Sequence, residues 1–237
     1  MSKNFAILHR LQRELESTTM IKAVGIVPVA EKSFPSRVTS SPRIVAFAGI
    51  DSGECCTRMI AEVAVTLART DQGKVCLVDA YFHSPSLSEF LALGNPAGLI
   101  EASKLEGPIL DVTIPVRDGN LSLVPWGSCE TSAATYVALG QMKSWLDELC
   151  RAFNYVLVNA PPLDQFANAI AFGQLADGLV PVLDGSLAAP AGALRQMERL
   201  RQSHVRMCGL VWDYTHFRKV EGDAAKVCRS GRGTASR

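Results

Sequence analysis

The sequence predicts an α/β protein with a doubly wound, mostly parallel sheet and helices on both faces. Continuous apolar runs such as YVLV (155–158) and GLVPVL (178–183) are typical of strands buried on both faces of a parallel sheet. These runs alternate with segments whose apolar residues recur at three- and four-residue intervals, which is the helical period. Alternating strands and helices joined by right-handed crossovers form a doubly wound sheet.

The same patterns predict the individual elements. The predicted strands cover 44–48, 75–78, 121–125, 155–158, 179–183 and 207–211. The predicted helices cover 57–69, 86–93, 142–152, 166–175 and 191–203. Since ligands of such sheets bind beyond the carboxyl ends of the strands, we expect the segments 49–58, 79–85 and 159–164 to gather along one edge.

Three parts of the chain differ in composition. Residues 1–42 are predicted to hold an N-terminal helix over 4–17, with Phe5, Leu8, Leu11 and Leu15 on one face, and a Ser/Pro-rich linker over 30–42. The sequence leaves open whether this helix packs on its own domain or binds a partner. Residues 43–215 are predicted to form the α/β domain, and the basic tail over 216–237 is predicted to be disordered.

Composition excludes several classes of protein. Of the 237 residues, 48% are hydrophobic and 20% are charged, which is a globular balance, and the net charge of +1 does not support nucleic-acid binding. We expect a cytoplasmic protein, because no apolar run is long enough to span a membrane and no secretory signal is recognised. The seven cysteines have no CxxC spacing, so free thiols are expected rather than a disulfide framework or a zinc cluster.

The stretch GIDSGECCTR (49–58) lies between the first predicted strand and the first predicted helix, where a phosphate-binding loop is usual. The working pattern is GxxxxGK[ST], in which backbone N–H groups surround the phosphates, Lys neutralises charge and the hydroxyl holds Mg²⁺. Cys55 and Cys56 stand at the second glycine and at the lysine of this pattern. The candidate nucleotide- or anion-binding residues are Gly49, Asp51, Ser52, Gly53, Glu54, Cys55, Cys56 and Thr57.

Two other interpretations of this loop stay open. Gly49 and Gly53 are also ordinary turn residues, and Asp51 and Ser52 are also ordinary turn or N-cap residues. A thiol at a helix N-terminus has its thiolate stabilised, which would give Cys55 or Cys56 a redox or covalent role.

Four quoted segments, in this order, carry a resemblance to a known family: DSGECCTR, CLVDAYFHSPSLSEFLALGNPAGL, NLSLVPWG and YVLVNAPPL. Over residues 43–212 the chain resembles the cytoplasmic kinase domain of the bacterial tyrosine kinases that control capsule and exopolysaccharide assembly. That family lies within the ParA/MinD group of P-loop ATPases. The resemblance implies a P-loop NTPase-type α/β fold.

The resemblance also shows where the motifs are degenerate. Cys56 stands at the family's lysine, Tyr81 at an acidic position of the second motif, His83 at an arginine position, and Asn159 at the acid of the third motif, whereas Asp79 is kept. Mg²⁺ prefers charged oxygen ligands, so Thr57 and Asp79 would hold a metal weakly at most. The alternative role for Asp79 is to cap a loop.

These departures predict a pseudokinase or pseudo-ATPase that needs no cofactor. We expect a cytoplasmic binding or regulatory module of polysaccharide assembly or export, held at the inner membrane only through a partner. By the resemblance, the partner is a membrane-embedded polysaccharide chain-length or export protein, or an active kinase paralogue, and homo-oligomers are an open alternative. Two other functions stay open: an atypical tyrosine kinase or ATPase that uses ATP and Mg²⁺, and a ParA/MinD-like positioning protein.

Overall fold

A computed structural model describes residues 24–27, 43–50, 53–69, 73–81, 87–94, 96–116, 120–127, 139–184 and 191–213. The strands are β1 (Val24–Val27), β2 (Ile44–Gly49), β3 (Val75–Asp79), β4 (Ile114–Pro115), β5 (Leu121–Val124), β6 (Tyr155–Asn159), β7 (Gly178–Asp184) and β8 (Leu210–Asp213). The helices are α1 (Gly53–Arg69), α2 (Leu87–Phe90), α3 (Leu99–Leu105), α4 (Leu139–Ala152), α5 (Phe166–Leu175) and α6 (Ala191–Gln202). Short 3₁₀ turns cover Ile109–Val112 and Leu163–Gln165.

The strands form one eight-stranded sheet in the order β1-β8-β7-β2-β6-β3-β5-β4. The six central strands pair in parallel, and the edge strands β1 and β4 pair antiparallel with β8 and β5. A mostly parallel sheet whose order does not follow the chain is the doubly wound arrangement, so the predicted fold class is confirmed.

Helices cover both faces of the sheet. One face packs against α3, α4, α5 and α6 through a buried cluster that includes Val78, Trp145, Leu146 and Val158. The other face packs against α1 and α2 through a second cluster that includes Ile60, Leu77, Leu87 and Val180. All five residues of β3 are buried, as expected for a strand covered on both sides.

Asp177 and Arg43 form hydrogen bonds that connect neighbouring elements at the amino ends of the strands. Asp177 Oδ2 accepts the backbone N–H groups of Arg43 (2.8 Å) and Ile44 (2.9 Å), which holds the start of β2 beside β7. The Arg43 guanidinium donates to the carbonyls of Phe153 (2.8 Å) and Cys150 at the end of α4. Both residues therefore act on the edge of the sheet opposite the predicted site.

Several predicted boundaries are wrong. Helix α1 begins at Gly53 rather than at 57, and α2 has only four residues, because the chain turns into the left-handed region at Ala92 (φ 56°). The last strand is Leu210–Asp213, whereas Met207 makes only an isolated bridge to Leu179.

Five elements were not predicted, namely β1, α3, β4 and the 3₁₀ turns at Ile109–Val112 and Leu163–Gln165. The most important is β1, because it lies inside the range 1–42 that was predicted to hold only a helix and a linker, yet it joins the sheet beside β8. The predicted helix over 4–17, the linker over 30–42 and the tail over 216–237 lie outside the described residues. No helix in the described ranges has the length and apolar character needed to cross a bilayer.

Candidate functional site

The topology brings the first, second and third motifs to one edge of the sheet. Strands β2, β6 and β3 are neighbours and run parallel, with Phe47 opposite Asn159 and Asn159 opposite Asp79. Gly49 ends β2, and α1 begins at Gly53, directly beyond it. Gly49, Asp79 and Asn159 therefore lie along one edge of the sheet, as expected from the sequence.

Three buried polar side chains meet at this edge, and we call Thr57, Asp79 and Asn159 the polar trio. The Asn159 amide nitrogen donates to Thr57 Oγ1 and to Asp79 Oδ1, both at 3.1 Å. Asp79 and Asn159 are fully buried, and Thr57 is 5% exposed. One –NH₂ group therefore lies between the hydroxyl and the carboxylate that the sequence singled out as metal ligands.

The amide orientation follows from its neighbours. A carboxylate accepts hydrogen bonds only, so the donor end of the Asn159 amide must face Asp79. The consequence is that Asn159 Oδ1 is buried without a hydrogen-bond partner in the part of the chain that the structure describes. A buried carbonyl oxygen left unpaired costs free energy, about 1–3 kcal/mol in typical cases. The trio is thus satisfied on the Asp79 side and unsatisfied at one atom of Asn159.

Asp79 also binds the segment that follows β3. Its Oδ2 accepts the N–H of Leu87 (2.8 Å) at the start of α2, and its Oδ1 accepts the N–H of Tyr81 (3.4 Å). Asp79 therefore caps the backbone that follows β3, as the alternative interpretation expected. Burial raises the pKa of Asp79 to about 6, and the hydrogen bonds from Asn159, Leu87 and Tyr81 oppose that rise.

Cys56, which stands where the kinase motif has its lysine, lies in the hydrophobic core. Cys56 is fully buried in the cluster beneath α1 together with Met59, Ile60 and Val180. Burial raises the pKa of the Cys56 thiol far above its usual range, although a backbone hydrogen bond with Gly49 opposes the rise. An activated thiolate needs a lowered pKa and access to solvent, so the burial of Cys56 argues against a reactive thiol at this position. Cys55 is buried in the same cluster.

The structure describes only some of the other predicted site residues. Asp51, Ser52 and His83 lie outside the described residues, and only the backbone of Gly53 and Glu54 is described, as the first turn of α1. Tyr81 is half-buried. Among the described residues, no group of three or more His, Cys, Asp or Glu side chains could hold a metal ion.

Sequence reasoning missed two features of the site. It treated Asn159 as a lost carboxylate rather than as a donor that joins Thr57 to Asp79, and it did not anticipate the bond from Leu87 to Asp79. The first feature had a signal in the sequence, since an amide beside a retained acid can donate a bond that a second acid cannot. The second had none, because it depends on the course of the chain between 80 and 87.

Comparison of the chain with known sequences finds two kinases. It is 24% identical to the tyrosine-protein kinase YwqD of Bacillus subtilis (strain 168) over 159 residues, which is 67% of each chain. It is 21% identical to the tyrosine-protein kinase CpsD of Streptococcus agalactiae over 170 residues, which is 71% of this chain and 74% of that one. No protein-family model matches the chain.

Solved structures with the same fold come from two groups. The chimerical protein CapA2B2 matches with a TM-score of 0.66 at 17% identity, covering 73% of this chain and 76% of that one. The kinase domain of the Escherichia coli tyrosine kinase ETK matches with a TM-score of 0.63 at 19% identity, covering 72% and 67%. The cell division ATPase MinD of Pyrococcus furiosus matches with a TM-score of 0.58 at 17% identity, covering 71% and 70%.

The sheet order and these likenesses show a doubly wound, mostly parallel α/β fold of the P-loop NTPase type, similar to that of the MinD structures. Among proteins with this fold, the sequence is similar to the bacterial tyrosine-protein kinases YwqD and CpsD.

Proposed function

We propose that this protein is a catalytically degenerate relative of the exopolysaccharide tyrosine kinases, and that it acts as a cytoplasmic binding or regulatory module of polysaccharide assembly or export. Its partner is a membrane-embedded chain-length or export protein, or an active kinase paralogue, and the partner brings it to the inner membrane. The module needs no cofactor for this role.

One observation carries the proposal, namely the position of the Asn159 amide. Its –NH₂ group lies 3.1 Å from both Thr57 Oγ1 and Asp79 Oδ1. A Mg²⁺ ion held by the same two oxygens would need that space, and it requires oxygen ligands at about 2.0–2.1 Å. The donor end of an amide competes with a cation for the same lone pairs. This supports a site that has replaced its metal with a hydrogen bond.

The lysine position supports the proposal independently. Phosphoryl transfer depends on positioning and on neutralising charge on the transferred group. Cys56 is fully buried and uncharged, because burial raises the pKa of its thiol. It therefore contributes no positive charge. Losing a single electrostatic stabiliser commonly costs about 2.7–4 kcal/mol of transition-state binding.

A second candidate is an atypical but active tyrosine kinase or ATPase. The observation that favours it is the survival of Thr57 and Asp79, whose oxygens the structure brings to the two sides of one amide group. In this alternative Arg58, a partner or a second subunit supplies the missing charge, and ATP and Mg²⁺ are the cofactors. The likeness to MinD structures also keeps a ParA/MinD-like positioning role open.

The deciding experiment is a calorimetric titration of the purified protein with ATP, with and without Mg²⁺, run beside an ATPase and autokinase assay. We expect no Mg²⁺-dependent binding and no turnover above a blank. Turnover within the usual kinase range of about 1–100 s⁻¹ would overturn the proposal in favour of the active enzyme.

A repair series supplies the matched control. Cys56→Lys alone should restore weak nucleotide binding at most, because Asn159 still engages Thr57 and Asp79. Adding Tyr81→Asp and Asn159→Asp should give a gain larger than the sum of the single changes, since groups that act as a unit are not additive. If the triple variant keeps its fold, as circular dichroism and a cooperative unfolding transition would show, and still binds no Mg-ATP, the assignment of these three positions to the family motifs is wrong.

A further inference from the structure

The stretch between α3 and β4 exposes two leucines beside two acidic side chains. Leu105 is 78% exposed and Leu110 is 42% exposed, whereas Ile109 between them is buried in the core. Glu106 and Asp111 are exposed in the same stretch. We call Leu105, Glu106, Leu110 and Asp111 the acidic turn. Its surface therefore combines apolar and negatively charged groups.

Hydrogen bonds fix the acidic turn in place. The Glu148 carboxylate accepts the N–H groups of Ile109 and Leu110, both at 3.4 Å. Thr113 donates its hydroxyl to the Ile109 carbonyl (2.9 Å) and its N–H to the Leu110 carbonyl (3.2 Å). Among the described residues, no Lys or Arg forms an ion pair with an acid of this turn, although Lys104 precedes it. A surface that is already ordered loses little entropy when it binds.

Helix α6 exposes a leucine beside basic side chains. Leu194 is 73% exposed, and Arg195 and Arg199, one turn apart, are also exposed. Glu198 of this helix pairs with Arg201 at 2.9 Å, so the other two arginines carry the excess charge. Neither of those two forms an ion pair within the described part of the chain. We call Leu194, Arg195 and Arg199 the basic surface.

Two helices separate the acidic turn from the basic surface. Helix α4 packs on the turn and on β6, and α5 packs on β2 and β7. The Arg199 guanidinium lies 3.8 Å from the centre of the Phe166 ring, at the start of α5, so α6 follows α5 on the same face of the sheet. Four strands lie between β7 and β4, which puts these two strands roughly 24 Å apart. The two surfaces are thus too far apart to meet within one chain.

We propose that the acidic turn of one copy docks on the basic surface of a second copy of this chain. The charges are complementary, and the contact removes exposed leucines of both surfaces from water. Because the two surfaces differ and lie apart on each chain, the contact is heterologous, and copies add side by side. This inference does not depend on the proposed function.

The neighbouring edge strand favours a contact through side chains. Strand β4 is the edge of the sheet beside the acidic turn, and it has only two residues. Its Pro115 has no N–H group to offer to a further strand. Addition of a strand from another chain is therefore a poorer way to join copies at this edge than the docking of the turn.

Sedimentation velocity of the purified protein over a range of concentrations tests the contact. We expect association that increases with concentration and weakens with added salt, because salt screens exposed charges. Glu106→Arg together with Asp111→Arg should weaken the association at least about tenfold, and so should Arg195→Glu together with Arg199→Glu.

Mixing the two reversed variants separates this contact from a loss of folding. The reversed turn is basic and the reversed helix is acidic, so an equimolar mixture should associate again although neither variant does so alone. A chain that carries all four reversals should also associate. The matched control is Lys143→Glu together with Arg151→Glu, which reverses two exposed charges on α4 and should leave the association unchanged.

Three results would overturn the proposal. The first is an unmodified protein that stays monomeric up to about 1 mM, the weak end of specific binding. The second is association that survives either double reversal, which would place the contact on other surfaces or make it symmetric. The third is a mixture of the two variants, and a fourfold variant, that both remain monomeric.

Discussion

Two asparagines mark the ends of strand β6, and they do opposite things. Asn154 directly precedes the strand, is exposed, and accepts the N–H of Lys74 through its Oδ1 (2.9 Å). Asn159 ends the strand, is fully buried, donates to Thr57 and Asp79, and leaves its own Oδ1 unpaired within the described part of the chain. Asn154 therefore acts as an acceptor for a backbone N–H, whereas Asn159 acts as a donor to a carboxylate.

The two asparagines differ in what their hydrogen bonds contribute to stability. At the amino end, Asn154 accepts the backbone N–H of Lys74, 80 positions earlier in the chain, which would otherwise depend on water. At the carboxyl end, a hydrophobic trio of similar volume would avoid both the desolvated carboxylate and the orphaned oxygen. Stability alone therefore does not account for Asp79 and Asn159.

The largest effect should come from Asn159→Asp, which is nearly isosteric. It replaces the donor with a second carboxylate oxygen about 3 Å from Asp79 in a fully buried site, so one of the two acids must hold a proton. We expect a loss of about 3–5 kcal/mol in the free energy of unfolding near neutral pH, as for other buried charges without a partner. Urea unfolding at neutral and at acidic pH measures it. An unchanged midpoint at neutral pH would mean that the trio is open to solvent.

A smaller effect should appear in the pH dependence of stability. Because burial raises the pKa of Asp79 to about 6 from 3.8, the folded protein binds this proton more tightly than the unfolded chain does. The contribution of Asp79 to stability is therefore fully present below about pH 4 and is lost as the pH rises to about 6, a change of about 2–3 kcal/mol.

The matched variant is Asp79→Asn, which cannot titrate. The difference in the free energy of unfolding between the unmodified protein and this variant should shrink between about pH 4 and about pH 6 and stay flat above that range. Subtraction removes the contribution of the other carboxyl groups. A difference that grows with pH would show that the hydrogen bonds to Asp79, rather than its burial, control its pKa.

The sequence predicts where Asp79 and Asn159 lie in the sheet, but it does not predict their hydrogen bonds. Asp79 and Asn159 were expected at one edge because each ends a continuous apolar run, and the carboxyl ends of parallel strands share an edge. The structure confirms the fold class and places both residues there. The donor role of Asn159 depends on side-chain orientation, which no periodicity records.

The missed elements have a common physical reason. β1 has only four residues, and its stability comes from pairing with β8, almost 190 positions away in the chain. α3 has seven residues, and β4 has only two. Short elements of this kind depend on tertiary contacts, so a local pattern does not predict them, whereas α5 was predicted at its observed bounds.

A third prediction tests the amino end of β6. Gly73 has φ +110°, and a Cβ there would lie 2.3 Å from Asn154 Oδ1. Gly73→Ala should therefore cost about 1–2 kcal/mol, from backbone strain and from displacement of Asn154. Gly107→Ala is the control, because nothing lies within 4 Å of its added Cβ. Equal unfolding midpoints for the two variants would contradict the close approach at Gly73.

The smallest effect should come from Asn154→Asp, the same chemical change as Asn159→Asp at the other end of the strand. The carboxylate keeps the oxygen that accepts the Lys74 N–H, and the residue is exposed, so water solvates the new charge. We expect a change within about 0.5 kcal/mol in the free energy of unfolding, as for other surface substitutions. If thermal unfolding shows comparable losses for the two variants, the cost comes from adding negative charge to this part of the protein in general. A large loss confined to Asn159→Asp would instead locate it in the buried hydrogen bond to Asp79, because only there does the new oxygen replace a donor beside a carboxylate that has no access to water.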